Sequence, residues 1–377
     1  MSRRRRPRVL CAPNALKGTL SAAAAAAAMA AGVRDAGCEP VELPMADGGD
    51  GTLDVLLGRA SRARVETLRV TGPLGGGVHA RLGWLDQETA VVELAEAAGL
   101  RLLHGRLAPV GATSRGAGQL VAAALGGGAQ RIIVGVGGSA CTDGGAGLLA
   151  ALGVELRDID GNPIGPGGGA LLRLASADAS GLDPWLRRCR LDVAVDVDAP
   201  LLGPRGAATV YGPQKGASAA DVQQLENGLR HLDWILRRDL RISRTLVQRP
   251  GSGAAGGCGY GLAAIGATLK PGAALVADAI GLTGALRGCV LALTAEGRLD
   301  QQTALGKAPM EVACRARRRD IECVAIAGQV VSLPEIFSRG LSLDDLAEPG
   351  EDSRRHARRL LRRAAHAATA PLISGEG

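Results

Sequence analysis

Six glycine-rich loops along this chain carry the side chains that could do chemistry. Each loop combines glycine with acids, amides, hydroxyls or cations, the groups that bind phosphate, hold a metal ion or move a proton. These groups suit phosphoryl transfer, because cations offset a nucleotide's charge, carboxylates hold Mg²⁺ and one acid can accept the proton of an attacking hydroxyl. The candidates are Asn14 and Lys17; Asp47, Gly48, Gly49 and Asp50; Gly137, Gly138, Ser139, Thr142 and Asp143; Asp196 and Lys215; Ser252; and Glu296, Arg298, Asp300 and Lys307.

The loop VGVGGSACTDGGAG, from Val134 to Gly147, is the most informative of the six. It follows the apolar run RIIVGV and precedes the helix-like LLAALG. A strand, a glycine loop and a helix start in this order bring backbone N–H groups and a helix dipole to one point, where an anion is stabilised. The loop is therefore predicted to bind phosphate.

Each group of candidates also has a structural explanation. The acids of ADGGDGT could form Asx turns, and the hydroxyls of the next loop could cap a helix. Glu296 could form a structural ion pair with Arg298, and Lys17 and Lys215 could be solvated surface lysines. Single loops leave the choice open, so the hypothesis depends on the loops meeting in space.

Several enzyme classes are disfavoured by missing motifs. The chain has no GxxxxGK[ST], no well-placed GxGxxG, no GxSxG and no HExxH, and its five histidines lie in ordinary surroundings. A Walker P-loop enzyme, a dinucleotide enzyme, a serine hydrolase and a zinc enzyme are therefore not supported. The eight cysteines form no CxxC pair and are expected to be reduced.

Composition and charge narrow the class of partner. The chain has 377 residues, a formal charge of +7 and only 2% aromatic residues. Nucleic-acid binding usually needs stacking aromatics, so we expect small-molecule ligands and no nucleic acid. The alanine run from Ser21 is too short to span a bilayer. We expect a cytoplasmic protein without a membrane partner, and homo-oligomers are left open.

The order of elements predicts an α/β fold with a parallel sheet. VLCAPNALKGTL and PVELPMA each read as a strand and a loop before a helix, whereas residues 64–99 alternate as antiparallel strands do. We predict one flavodoxin- or Rossmann-like parallel-sheet domain and a smaller, discontinuous second α/β domain. The first comprises residues 8–63, 105–190 and 288–377, and the second comprises residues 64–104 and 191–287.

The loop motifs, taken in order, resemble those of the bacterial glycerate kinase family. They are APNALKGTLSA, ADGGDGT, VGVGGSACTDGGAG, DVDAPLLGPRGAA, YGPQKGA, PGSGAAGG, LKPG and EGRLDQQTALGK, and the resemblance runs from about Val9 to Val330. It implies phosphorylation of D-glycerate with ATP and Mg²⁺, with the 2-hydroxyl favoured as acceptor and 2-phosphoglycerate as product. It also implies two α/β domains, one of them flavodoxin-like, with the active site between them.

On this resemblance we expect specific roles. Lys17 and Lys215 would bind the substrate carboxylate or the transferring phosphate, and Asp47 and Asp143 would hold the metal or substrate hydroxyls. Asp50 is the candidate base, with Asp47 the alternative. The remaining residues are expected to bind substrate or nucleotide, or to close the site around them: Asn14, Gly48, Gly49, Gly137, Gly138, Ser139, Thr142, Asp196, Ser252, Glu296, Arg298, Asp300 and Lys307.

Some positions depart from the family's usual pattern. The first loop, usually D-S-F-K, reads N-A-L-K here, from Asn14 to Lys17. Ala199 replaces an asparagine, and Ala295 replaces a glycine. Asn14 can donate a hydrogen bond but cannot act as a base. Two alternatives therefore stay open: a kinase for another short hydroxy acid, and a non-catalytic regulator that binds a sugar acid or a nucleotide.

Overall fold

The computed structural model describes residues 6–300, 303 and 306–374. The chain forms two compact units. Unit 1 contains the residues up to Asp47 and those from Ala273 onward, and unit 2 is the continuous segment Gly48–Gly272. Each unit has its own sheet with parallel strands, so the predicted mixed α/β class is confirmed.

The strands found in the described residues follow in chain order. They are β1 (Arg8–Cys11), β2 (Glu39–Glu42), β3 (Arg64–Thr71), β4 (Gly77–Trp84), β5 (Thr89–Glu93), β6 (Arg131–Gly135), β7 (Glu155–Arg157), β8 (Ser176–Asp178), β9 (Arg190–Val195), β10 (Thr268–Pro271), β11 (Cys289–Leu299), β12 (Glu322–Val330) and β13 (Arg339–Ser342).

The α-helices of the same residues lie between these strands and after the last of them. They are α1 (Ala22–Asp35), α2 (Thr52–Leu57), α3 (Leu94–Ala98), α4 (Arg115–Gly126), α5 (Ala146–Ala151), α6 (Ala207–Tyr211), α7 (Ala219–Leu240), α8 (Ala254–Ala264), α9 (Gly272–Ala279), α10 (Leu282–Ala285), α11 (Ala308–Arg317), α12 (Leu343–Leu346), α13 (Ala357–Thr369) and α14 (Pro371–Ser374).

Unit 1 is built on a fully parallel sheet with strand order β13-β12-β11-β1-β2. Helix α1 begins at the predicted cap, because Ser21 Oγ accepts a hydrogen bond from Ala24 N at 3.2 Å. Its alanine face packs against α13, where a β-carbon at Gly32 would lie 2.0 Å from Arg362 O. Glycine therefore allows the two helices to approach closely. The apolar side of α13 joins the core, which leaves its arginines outside.

Unit 2 contains a mixed sheet with strand order β10-β9-β6-β5-β4-β3. Strands β5, β6, β9 and β10 run parallel, and β4 and β3 extend the sheet in antiparallel fashion. A second, smaller sheet pairs β7 with β8. The long amphipathic helix α7 buries Leu225, Leu229, Leu232 and Leu236 in a core cluster of its own unit.

The structure groups the predicted domain segments differently. The antiparallel strands of residues 64–104 do not stand apart, because β5 pairs with β6 and places Glu93 beside Gly135. Strand β6 pairs in turn with β9, so residues 48–63, 64–104, 105–190 and 191–272 belong to one unit. The smaller, discontinuous domain is unit 1 instead. Alternating strands can continue a parallel sheet at its edge, which the sequence pattern does not distinguish from a separate sheet.

Among the described residues, we find no helix with both the length and the apolar character needed to cross a membrane.

Candidate functional site

The predicted site residues divide between the two units. Unit 1 carries Asn14, Lys17, Asp47, Glu296, Arg298, Asp300 and Lys307. Unit 2 carries Gly48, Gly49, Asp50, Gly137, Gly138, Ser139, Thr142, Asp143, Asp196, Lys215 and Ser252.

In unit 1, two neighbouring parallel strands bring the first group together. Strand β1 pairs with β11, and after β1 ends the chain stays beside β11 because Asn14 N donates to Ala295 O at 2.8 Å. The side-chain amide of Asn14 donates to Asp47 Oδ2 at 3.0 Å. An ionised aspartate at position 14 would have no proton to donate there. Asn14 therefore orients the Asp47 carboxylate.

Glu296, the acid of strand β11, is buried, with 6% of its surface exposed. Its Oε1 accepts a hydrogen bond from Thr303 Oγ1. Burial raises the pKa of Glu296, and the Asp47 and Asp300 carboxylates raise it further, whereas Thr303 and Lys307 act in the opposite direction. Asp47 and Asp300 thus both lie within electrostatic reach of Glu296, and we call these three residues the unit 1 acid group.

Cations accompany the unit 1 acid group. Arg298 lies 3.6 Å from Asp300, so the acid that pairs with Arg298 here is Asp300 and not Glu296, the partner in the structural alternative. Lys17 is exposed, and its backbone N lies 3.8 Å from where a β-carbon of Gly297 would be. The acids and cations of unit 1 therefore lie in or after three neighbouring strands, β11, β1 and β2.

In unit 2, the loops that contain Gly48–Asp50 and Gly137–Ser139 pack backbone against backbone. Gly137 N donates to Gly48 O at 3.0 Å, and a β-carbon at Gly137 would lie 2.3 Å from Gly49 Cα. A β-carbon at Gly138 would lie 2.2 Å from Asp50 Oδ1. Asp50 is an exposed residue. Its carboxylate thus lies against the glycine loop that is predicted to bind phosphate.

Lys215 is buried, contrary to its interpretation as a surface lysine, with 2% of its surface exposed. Its Nζ donates to Ser139 Oγ at 2.9 Å and to Cys141 O at 2.5 Å. Burial lowers the pKa of Lys215, although the acidic groups around it act in the opposite direction. A buried ammonium attracts an anion strongly, because little water screens its charge.

A polar cavity of about 100 Å³ adjoins this lysine. Five predicted residues line it: Gly137, Gly138, Ser139, Asp196 and Lys215. They come from the loop after β6, the end of β9 and the short turn after α6. We call this cavity the Lys215 pocket. It supports the prediction that the glycine loop and the basic YGPQKGA loop act together.

Three further predicted residues are held inside unit 2. The Asp143 carboxylate accepts hydrogen bonds from Ser114 N and Oγ and from Gly145 N and Gly147 N, at 2.8 to 3.3 Å. Burial raises the pKa of Asp143, and these four bonds oppose the rise. Ser252 Oγ donates to Val247 O at 3.2 Å. Thr142 is also fully buried.

Four hydrogen bonds hold the Asp143 carboxylate within its loop, and its role as a metal ligand stays a prediction. With Cys141 and Cys258 it forms a buried group whose ligand atoms lie within 4.8 Å of one another. Two thiols and one carboxylate do not form an oxygen-rich site of the kind that Mg²⁺ prefers.

Sequence reasoning did not assign two features of the Lys215 pocket. Tyr211, in the quoted YGPQKGA motif, lines the pocket, and burial raises its pKa, as do Asp196 and Asp198. Ala255 also lines it, in a left-handed conformation with φ 54° and ψ 40°. Such a conformation costs an alanine about 1–2 kcal/mol. The glycines of PGSGAAGG signalled an unusual turn, but nothing in the sequence marks the alanine as strained.

Comparisons with known proteins identify the family of the chain. The sequence matches the glycerate kinase family over residues 9–372. It is 42% identical to a glycerate kinase of Bacillus subtilis over 368 residues, 95% of this chain and 96% of the relative. It is 43% identical to a glycerate 2-kinase of Escherichia coli over 328 residues, 86% of this chain and 85% of the relative. A crystal structure from Salmonella typhimurium, assigned as a glycerate kinase 2, superposes with a TM-score of 0.85 at 37% identity and covers 98% of this chain and 99% of that one.

Proposed function

This chain belongs to the glycerate kinase family, and on that premise we propose that it transfers the γ-phosphate of ATP to a hydroxyl of D-glycerate, with 2-phosphoglycerate as the favoured product. The observation that carries the proposal is the Lys215 pocket, where a buried ammonium meets a hydroxyl and glycine amides. Both reactants are anions, so a site that holds fixed positive charge and unhindered N–H groups suits them. Because the family consists of enzymes, we do not carry the non-catalytic regulator forward.

In the Lys215 pocket, the ammonium of Lys215 binds the glycerate carboxylate or the transferring phosphate. Its bond to Ser139 Oγ holds that hydroxyl close, so the two groups can bind one anion together. The amide of Gly138 adds a neutral donor, whereas the Gly137 N–H is already bonded to Gly48 O. A charged donor in a buried site binds an anion more strongly than it would in water.

Asp47, Glu296 and Asp300 would hold Mg²⁺, because they offer carboxylate oxygens, the ligands that this ion prefers, and electrostatics link Glu296 to both Asp47 and Asp300. When bound, Mg²⁺ would neutralise charge on the nucleotide phosphates. Asn14 keeps Asp47 oriented for this role. Lys17, Arg298 and Lys307 bind phosphate oxygens. Each of these roles rests on residue chemistry in unit 1.

Proton removal from the acceptor hydroxyl falls to Asp50, with Asp47 as the alternative. Asp50 is exposed and lies against Gly138, so it can reach a ligand bound by the glycine loop. A carboxylate placed there can accept the proton as the acceptor hydroxyl releases it in the transition state. Asp196, in the Lys215 pocket, accepts a hydrogen bond from the other hydroxyl. Thr142, Asp143 and Ser252 maintain the shape of the loops.

The test is an assay for ADP with ATP, Mg²⁺ and D-glycerate, followed by NMR of the product. We expect ADP and 2-phosphoglycerate in equal amounts. Production of 3-phosphoglycerate would support kinase activity but overturn the proposal that the 2-hydroxyl is the acceptor. Turnover only with another short hydroxy acid would overturn the substrate, and binding of both ligands without ADP would overturn the activity.

A further inference from the structure

Glu93 is a buried acid that the proposed function does not use. It is the last residue of β5, and 3% of its surface is exposed. Both of its carboxylate oxygens accept a hydrogen bond from Gly51 N, at 3.3 and 3.2 Å, and Oε2 also accepts one from Leu53 N at 3.1 Å. An acid from a central strand therefore holds the start of α2, which lies directly after the ADGGDGT loop.

The start of helix α2 depends on Glu93 as a hydrogen-bond acceptor from outside the helix. Its N-cap residue is Gly51, which has φ +89° and offers no side chain to cap the helix. The N–H groups at a helix start have no partner within the helix and need an acceptor from elsewhere. Glu93 supplies that acceptor with a negative charge, which the positive end of the helix favours.

The loop held in this way determines where Asp50 lies. Asp50 immediately precedes Gly51, and its carboxylate lies against Gly138. On the other side, Gly48 O accepts a hydrogen bond from Gly137 N. The loop is thus fastened at its beginning by the glycine loop and at its end by Glu93, with Asp50 between the two attachments.

We propose that Glu93 is a positioning residue that acts through the Gly51 and Leu53 amides to fix the Asp50 carboxylate. The proposal rests on the proposed function in giving Asp50 a part in the reaction. Glu93 itself touches no reacting atom. It matters because small misplacements of a catalytic group lower the rate steeply.

The charge of Glu93 is part of this anchor. Burial raises the pKa of Glu93, and the nearby Asp50 and Glu96 carboxylates raise it further, while the Leu53 and Gly51 amides oppose the rise. Glu96 is itself paired with Arg81 and Arg101, each at 2.8 Å. As the pH falls through the raised pKa, Glu93 takes up a proton and its acceptor strength for the two amides decreases.

The variant Glu93→Gln tests the anchor, with Glu96→Gln as the matched control. Glu96 is three residues further along, 5% exposed, and bound to arginines rather than to the loop. By hydrogen exchange, we expect the amides of residues 48–53 to exchange about tenfold faster in Glu93→Gln and unchanged in Glu96→Gln. Equal exchange of these amides in the wild type and Glu93→Gln would overturn the proposal, whether or not the protein turns over glycerate.

A double-mutant cycle tests whether the anchor acts through Asp50. We expect Glu93→Gln to lower kcat about ten- to hundredfold with little change in KM for ATP. In an Asp50→Asn background, the same substitution should lower kcat by less than about threefold, because residues that act as one unit are not additive. Equal losses in both backgrounds would mean a general structural role and overturn the proposal.

If Glu93→Gln does not fold, hydrogen exchange on the wild type tests the anchor instead. Exchange of the Gly51 and Leu53 amides, corrected for intrinsic rates, should become faster as the pH falls through the raised pKa of Glu93. The amides of β6 serve as the internal control. Parallel behaviour of the loop and β6 amides would contradict the anchor.

Discussion

At the scale of single residues, the hydrogen-bonded pair of Asn14 and Asp47 is the clearest case of one side chain orienting another. The side-chain amide of Asn14 donates a hydrogen bond to the Asp47 carboxylate. The pair keeps one carboxylate oriented by a neutral donor rather than by a second acid. The departure at position 14 is therefore compatible with a functional Asp47.

The substitution Asp47→Asn should reduce kcat at least about a hundredfold, because an amide can neither hold Mg²⁺ by charge nor accept a proton. Steady-state kinetics with D-glycerate and ATP measure this loss. Asp278→Asn is the control, since Asp278 is an exposed acid of the same unit that pairs with Arg315. Kinetics of Asp47→Asn within threefold of the wild type would remove Asp47 from the site.

Lys215 should impose an alkaline limit on activity. Burial lowers the pKa of Lys215, so the ammonium loses its proton below the usual pH of about 10.5 and the pocket loses its positive charge. As the pH rises through this lowered pKa, KM for D-glycerate should increase. A pH profile measures this, and Lys215→Arg should remove the limit because guanidinium stays charged. If Lys215→Arg has the same alkaline limit as the wild type, the limit belongs to another group.

Lys215 should also make stability depend on pH, with the opposite sign: as the pH rises, stability should increase whereas binding of D-glycerate weakens. A lowered pKa in the fold means that the unfolded chain binds the proton more tightly, so the contribution of Lys215 to stability rises with pH between the folded and unfolded pKa values. Thermal melts of the wild type and Lys215→Met over this pH range separate this contribution from that of other groups. Parallel curves for the two proteins would contradict the buried, charged lysine.

At the scale of elements, contacts between backbones hold the loops of unit 2 together. A β-carbon at Gly137 would lie 2.3 Å from Gly49 Cα of the neighbouring loop, and one at Gly48 would lie 2.6 Å from Ala194 O, so both would collide with main-chain atoms. Backbone cannot move aside as the end of a flexible side chain can. The precision of the Lys215 pocket therefore depends on residues that have no side chain.

Gly137→Ala should destabilise the protein by about 1–3 kcal/mol and lower activity more than tenfold, because its β-carbon would lie 2.3 Å from Gly49 Cα. Denaturant unfolding and the ADP assay measure the two effects. Gly126→Ala, at the end of α4, is the matched control, since its β-carbon would meet no atom within 4 Å. Similar behaviour of both variants would show that the loops can separate at little cost.

At the scale of the whole molecule, unit 2 is a continuous segment with its own sheet and core, whereas unit 1 is assembled from both ends of the chain. This arrangement differs from the predicted one, in which the sheet of unit 2 would be cut between β5 and β6. The two descriptions lead to different expectations for fragments of the chain.

A fragment of residues 48–272 should unfold in one cooperative transition, and it should lack kinase activity because the unit 1 acid group is missing. Circular dichroism during thermal unfolding measures this. A fragment that joins residues 64–104 to 191–287 by a flexible linker is the control and should not fold, because β6 would be absent from the middle of its sheet. Equal cooperativity of the two fragments would favour the sequence-based boundaries.

The sequence by itself determined the α/β class, the strand–loop–helix units and the residue types at the loops, because these depend on local periodicity, glycine and capping residues such as Ser21. The series of loop motifs also identified the family. Roles for single residues stay predictions, since loop chemistry alone leaves Asp47 and Asp50 equally suited to act as the base.

Only the tertiary structure decided which strands share a sheet and which polar groups are buried. Strand β5 could pair with either neighbour until its register with β6 was known. The sequence left open whether Lys215 is a surface lysine and did not show that Asp143 is buried, yet Lys215 adjoins a pocket and Asp143 has four hydrogen-bond donors around it. The reason is physical: pairing and burial depend on residues distant in sequence, and no local pattern records which of them come into contact.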